Sequence, residues 1–91
     1  MALKIQITKQ SYKFLKRLPP KQALQLKTKL QSLQVTPFPQ DSKVLAGYPN
    51  YHRVSVGEYR IVYRVENDIL LISLIGKRND GEVYKRLKQI L

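Results

Sequence analysis

The chain has 91 residues, 43% of them hydrophobic, no cysteine, and a formal net charge of +11. That length supports one modest core rather than two, the hydrophobic fraction excludes wholesale disorder, and the lack of cysteine excludes a disulfide framework and thiolate chemistry. MALKIQITK has no apolar signal core, and the longest apolar run, Ile69 to Ile75 with Ser73 inside it, falls far short of the ~20 residues a membrane helix needs, so the expectation is a soluble cytoplasmic protein with no membrane contact.

Leu3 to Ile7 alternates apolar and polar residues, the period of a half-buried strand. Thr8 can cap a helix through Leu18 with Tyr12, Leu15 and Leu18 on its inner stripe. Pro19-Pro20 must end it, because proline disfavours helix in the residue before it. A second helix then runs from Pro20 or Lys21 to about Leu33, burying Ala23, Leu26, Leu30 and Leu33 with Leu24 alongside, and leaving Lys21, Lys27 and Lys29 outside. Between Met1 and Gln40 there are eight basic residues and no acid, whereas from Tyr51 onward eight basic residues face five acids. An acid-free half of this kind suits a polyanionic partner.

Val35 to Asn50 is rich in proline and reads as a connection, with Phe38 and Leu45 pinning it to the core and a short turn around Lys43 to Ala46. Three strands follow, from Tyr51 to Lys77, joined at Gly57-Glu58 and Asn67-Asp68. Glycine comes first in the former pair, and both residues of the latter tolerate positive φ. These turns set a register: Val56 opposite Tyr59, Ser55 opposite Arg60, Arg53 opposite Val62, then Arg64 opposite Leu71, Val62 opposite Ser73 and Arg60 opposite Ile75. Alternation then places Val54, Val56, Tyr59, Ile61, Tyr63, Val65, Leu70, Ile72 and Leu74 on a core face. Arg53, Ser55, Arg60, Val62, Arg64, Leu71, Ser73 and Ile75 fall on a mixed cationic face. A one-residue slip would bury the arginines, which favours this register. Gly76 can loosen the strand end so that Lys77 and Arg78 turn towards the cationic face. Asn79 or Asp80 can cap a last helix, Gly81 to Leu91, with Tyr84 in its first turn. The expected architecture is α+β: an antiparallel four-stranded sheet, a helical hairpin on one face and a short C-terminal helix, in the order β-α-α-β-β-β-α, as a single domain spanning residues 1–91.

No phosphate loop, dinucleotide fingerprint or Cys/His cluster is present, so no cofactor and no metal are expected. His52 falls opposite Tyr63 on the core face and reads as a packed or edge histidine. Arg53, Arg60, Arg78 and Tyr84, far apart in sequence, can meet once the strands pair. Taken singly, each is an ordinary structural residue. Together they suit cleavage of an RNA phosphodiester by its own 2′-OH, which needs charge stabilisation at the phosphorane, a proton acceptor and a proton donor. Guanidinium groups hold phosphate oxygens bidentately, and a phenol can stack on a base or move a proton. Arg64, Lys77, Lys27, Lys29 and Ser55 are the further candidate RNA contacts.

The run VGEYRIVYRV followed by GKRNDGEVY, with Lys43-Val44-Leu45-Ala46-Gly47 upstream, resembles the RelE/ParE toxin superfamily, and specifically the RelE-type mRNA interferases of type II toxin–antitoxin systems. The resemblance covers nearly the whole chain. It implies metal-independent cleavage of messenger RNA in the ribosomal A site, docking on 16S ribosomal RNA, and neutralisation by an acidic, RelB-like antitoxin in a heterotetramer or other complex. By position, Arg60 matches the arginine that holds the scissile phosphate, and Arg78 the one implicated in leaving-group protonation or charge stabilisation. Tyr84 matches the tyrosine that stacks on or orients the nucleotide, and Arg53 the first of two basic residues on the strand before the hairpin. The second of those is often lysine or arginine, the lysine being the proposed general base, and here it is Ser55, which cannot replace it. Either Tyr84, His52 or another group takes the proton, or cleavage is slow. The competing readings are a ParE-like gyrase inhibitor and a catalytically weak homologue that retains antitoxin binding.

Overall fold

The structure, a computed structural model, describes residues 2–77; Arg78, Tyr84 and the expected helix from Gly81 to Leu91 lie outside that range. In chain order the elements are β1 (Lys4–Ile7), α1 (Lys9–Arg17), α2 (Pro20–Val35), β2 (Lys43–Leu45), β3 (Tyr48–Val56), β4 (Tyr59–Glu66) and β5 (Ile69–Lys77). They form a five-stranded sheet ordered β1-β5-β4-β3-β2, with both helices on one face. The class is α+β as expected, with two corrections to the sheet. β1 pairs with β5 in parallel, Lys4 beside Ile69 and Ile7 beside Ile72; no tight turn leads out of β1 to dictate its partner or direction. The expected turn at Lys43 is a fifth strand, closed onto β3 by Gly47 at φ +80, a backbone region that glycine enters without steric cost.

Local rules account for the helices. The Thr8 side chain accepts from the Ser11 amide at 3.3 Å, capping α1. Leu18, held extended by the following proline, ends α1, and Pro20 opens α2 where its missing amide is not needed. Leu15, Leu26, Leu30 and Leu33 pack on Val54, Tyr59, Ile61, Tyr63, Leu70, Ile72 and Ile75, and Phe14 meets Tyr59 edge to face at 5.8 Å. The inner stripe of α1 differs from expectation. Tyr12 is exposed and Ser11 fully buried, because the Ser11 hydroxyl sits over β5 and donates to the Ile72 carbonyl at 3.4 Å. Leu24 is also exposed, as is Phe38, whose ring lies 4.6 Å from His52 rather than inside the core. Leu45 is buried as expected.

The β3–β4 register is the expected one throughout, with Gly57 at φ +59 in its turn and Asn67 at φ +57 in the next. The β4–β5 register is not. Arg64 pairs with Leu71 and Tyr63 with Ile72, but Val62 then pairs with Leu74 and Arg60 with Gly76. Ser73 is the extra residue of a β-bulge, and everything beyond it changes face. Ile75 joins the helix-side core. Leu74 instead joins a second cluster with Leu45 and Val62, against which Tyr48 and Tyr51 pack, on the face away from the helices.

Candidate functional site

The face away from the helices carries the arginines. Arg60, Val62 and Arg64 alternate along β4, while Arg53 and Ser55 stand opposite Val62 and Arg60 on β3. Arg53 is thus the diagonal neighbour of Arg60, ~7–8 Å away in such a ladder. Ser55, Arg53, Arg60 and Arg64 are all half-buried. The bulge sets the other flank: Gly76, not Ile75, lies across from Arg60. Arg60 therefore has a short hydroxyl across from it on β3 and a buried glycine, not an isoleucine, across from it on β5.

Lys43 is the cation that the sequence reading did not place. It pairs with Arg53 across β2 and β3, which puts it on the arginine face, exposed. The signal was the three-residue alternation Lys43-Val44-Leu45, too short to be told from a turn. At the opposite side Arg64 is partly neutralised. It lies 3.3 Å from the Glu66 carboxylate and 5.8 Å from the centre of the Tyr51 ring, and its buried Nε has no hydrogen-bond partner. The Leu45, Val62 and Leu74 cluster forms an apolar floor between these cations.

The other candidates do not share this face. Lys27 and Lys29 belong to α2, in the layer across the sheet, and Lys29 donates to Asp41 at 2.9 Å. That bond holds the Asp41 carboxyl below its ordinary range. Lys77 pairs with Tyr59 at the end of β5, so the bulge turns it to the helix side instead of towards Arg60. His52 lies on the helix side as well, with the Phe38 and Tyr63 rings tilted against it at 4.6 and 5.8 Å, and cannot take a proton at the arginine face. Tyr63 donates to the Pro37 carbonyl at 2.6 Å, and burial pushes its phenol above the ordinary value; it is a structural tyrosine. Arg78 and Tyr84 lie outside the described residues. Among those described, no three acids, histidines or cysteines gather for a metal, and no helix is long and apolar enough to cross a membrane.

A five-stranded sheet with a helical hairpin on one face is a fold shared with a class of small protein toxins. The family model of the ParE toxin of type II toxin–antitoxin systems, parDE, matches residues 5–81, and the chain belongs to that family, within the RelE/ParE superfamily. Its more particular character is RelE-like. It is 32% identical over 83 residues to the protein named "Putative toxin RelE1" of Methanocaldococcus jannaschii, covering 86% of this chain and 92% of that one. Its fold matches a double-arginine mutant of Escherichia coli toxin RelE in the free state, with a TM-score of 0.82, 28% identity and full coverage of both chains. It also matches the archaeal RelE–RelB complex from Pyrococcus horikoshii OT3, with a TM-score of 0.76 and 26% identity, covering 87% of this chain and 98% of that one. The chain is a RelE-like toxin of a toxin–antitoxin system.

Proposed function

We propose that this toxin is a ribosome-dependent endoribonuclease that cuts messenger RNA in the A site. The observation that carries the reading is the diagonal placement of Arg53 and Arg60 on one half-buried face, with Lys43 beside Arg53 and Gly76 across from Arg60. In the reaction the 2′-oxygen forms a bond to phosphorus while the bond to the 5′-oxygen breaks. The products are a 2′,3′-cyclic phosphate and a free 5′-hydroxyl. Negative charge grows on the non-bridging oxygens, and the guanidinium groups of Arg60 and Arg53 counter it in a setting drier than water. Lys43 and Arg64 hold the flanking phosphates. Arg78 supplies charge or a proton at the 5′-oxygen, and Tyr84 orients the nucleotide. Ser55 has no basic nitrogen to take the 2′-proton and His52 is on the helix side, so Tyr84 or another group takes that role.

The complexes of RelE proteins with RelB support a cognate antitoxin here also. An acidic, RelB-like chain fits the basic surface, in a heterotetramer or related assembly. Induction of the chain in cells, with message ends mapped by sequencing, tests the cleavage reading. Cuts inside codons of translated messages are expected, and they should be lost with Arg60→Ala, Arg78→Ala or Tyr84→Ala. Intact messages with inhibited gyrase would favour a ParE-like toxin, a reading that the matching family model keeps in view. Intact messages and active gyrase, with antitoxin still bound, would leave a catalytically weak homologue, as Ser55 would suggest.

A further inference from the structure

The bulge that sets Gly76 across from Arg60 is held from outside the sheet. β1 ends beside Ile72, so beyond that point the outer edge of β5 has no strand partner among the described residues, and an unpaired edge of this kind must be satisfied or shielded. The first turn of α1 takes over. The Thr8 hydroxyl donates to the Ser73 carbonyl at 3.0 Å. The Gln10 carboxamide then makes both bonds of a ladder residue: its Nε2 donates to the Ile75 carbonyl at 3.1 Å, and its Oε1 accepts from the Ile75 amide at 3.3 Å. Gln10 is half-buried and touches the chain one residue before Gly76.

We propose that Gln10 is a positioning residue for the arginine site: by pairing with the Ile75 backbone it holds the bulged register that sets Gly76, rather than Ile75, beside Arg60. The inference rests on the nuclease reading and adds to it a residue on the opposite face of the sheet. A regular ladder would differ from the bulged one by a single residue. In it Ile75 would lie against the Arg60 stem and Leu74 would enter the core beneath the helices. Both are apolar and of similar volume, so core packing alone distinguishes the two registers weakly. The bonds from Gln10 and Thr8 favour the bulged one specifically, because only there do the Ser73 and Ile75 backbone groups face the start of α1.

The test is a double-mutant cycle on cleavage of ribosome-bound message, with purified ribosomes, intact toxin, and rates normalised to folded protein. Gln10→Met keeps the length of the side chain and removes both bonds; Gln10→Glu keeps the acceptor and removes the donor. Gln10→Met is expected to lower kcat about tenfold with KM for programmed ribosomes within about twofold, and Gln10→Glu to fall between it and wild type. In an Arg60→Ala background Gln10→Met should have no further effect, since its influence runs through Arg60, and coupling of this kind is what such a cycle isolates. Faster exchange of the Ile75 amide should accompany the loss. An equal fractional loss in both backgrounds, or an unchanged kcat with the Ile75 amide exposed, would overturn the inference while leaving the nuclease reading intact. A wild-type toxin that leaves ribosome-bound message uncut would overturn the nuclease reading first, and this inference with it. Should Gln10→Met fail to fold, Gln10→Glu carries the same cycle.

Discussion

The two faces of the sheet are built from the same three hairpin strands and solve opposite problems. On the helix side Tyr59, Ile61, Tyr63, Leu70 and Ile72 are buried beneath Leu26, Leu30 and Leu33, and the hydrophobic effect does most of the work. On the other side Leu45, Val62 and Leu74 make only a small apolar floor, and Arg53, Arg60 and Arg64 stand half-buried around it. Half-buried like charges oppose one another, so the second face gains less from burial than the helix side does. The difference teaches a division of labour. Stability is concentrated on one side, which lets the other hold a charge arrangement that would not itself drive folding.

That comparison can be broken in measurable ways. The largest expected effect is on the helix side: Leu26→Ala, at a site with no solvent exposure, should cost about 2–5 kcal/mol of stability while leaving cleavage per folded molecule unchanged. Denaturant unfolding paired with cleavage assays checks both halves; a loss of activity in the folded fraction would mean that the faces are not independent. Next, Ser55→Lys should raise the cleavage rate by about tenfold, short of the ~10²–10⁴ that a well-placed proton acceptor contributes. The new amine would stand directly across from Arg60 and should cost a little stability through like-charge repulsion. Single-turnover rates with and without the substitution decide it. Smaller again, Gly47→Ala should cost about 1 kcal/mol in a thermal melt, because φ +80 strains any residue with a Cβ.

The smallest effect concerns the helix-side ion pair. The Lys29 ammonium lowers the Asp41 pKa, so its contribution is present at neutral pH, above the unfolded value, and fades as pH falls through the folded one. With the Asp41 side chain 54% exposed, solvent screening limits the gain to about a few tenths of a kcal/mol. Asp41→Asn should therefore be slightly less stable than wild type at pH 7, with the difference shrinking as the carboxyl is protonated in acid, by urea unfolding.

Much of this molecule follows from short-range signals. Gly57-Glu58 specified the β3–β4 register residue by residue, and so the neighbourhood of Arg53 with Arg60. Pro19-Pro20 divided the two helices. The β4–β5 ladder escaped the same logic, because Ile69 to Ile75 is apolar at nearly every position and its pattern does not select a register. The bulge is chosen by groups distant in sequence, Thr8 and Gln10. Ser11 is buried and Tyr12 exposed for the same reason, since helical period cannot foresee a carbonyl waiting on β5. Three residues of β2 gave too little alternation to distinguish strand from turn, and Lys43 was missed with it.

The central claim is that guanidinium groups gathered on the face away from the helices stabilise the transition state of RNA cleavage. Single-turnover cleavage of ribosome-bound message by wild-type toxin and by Arg60→Ala, with melting temperatures taken on the same samples, tests it most directly. A rate lower by about 10²–10³, typical for loss of one charge-stabilising donor, with an unchanged melting temperature, is the predicted result. An Arg60→Ala toxin that cuts at the wild-type rate would contradict the account.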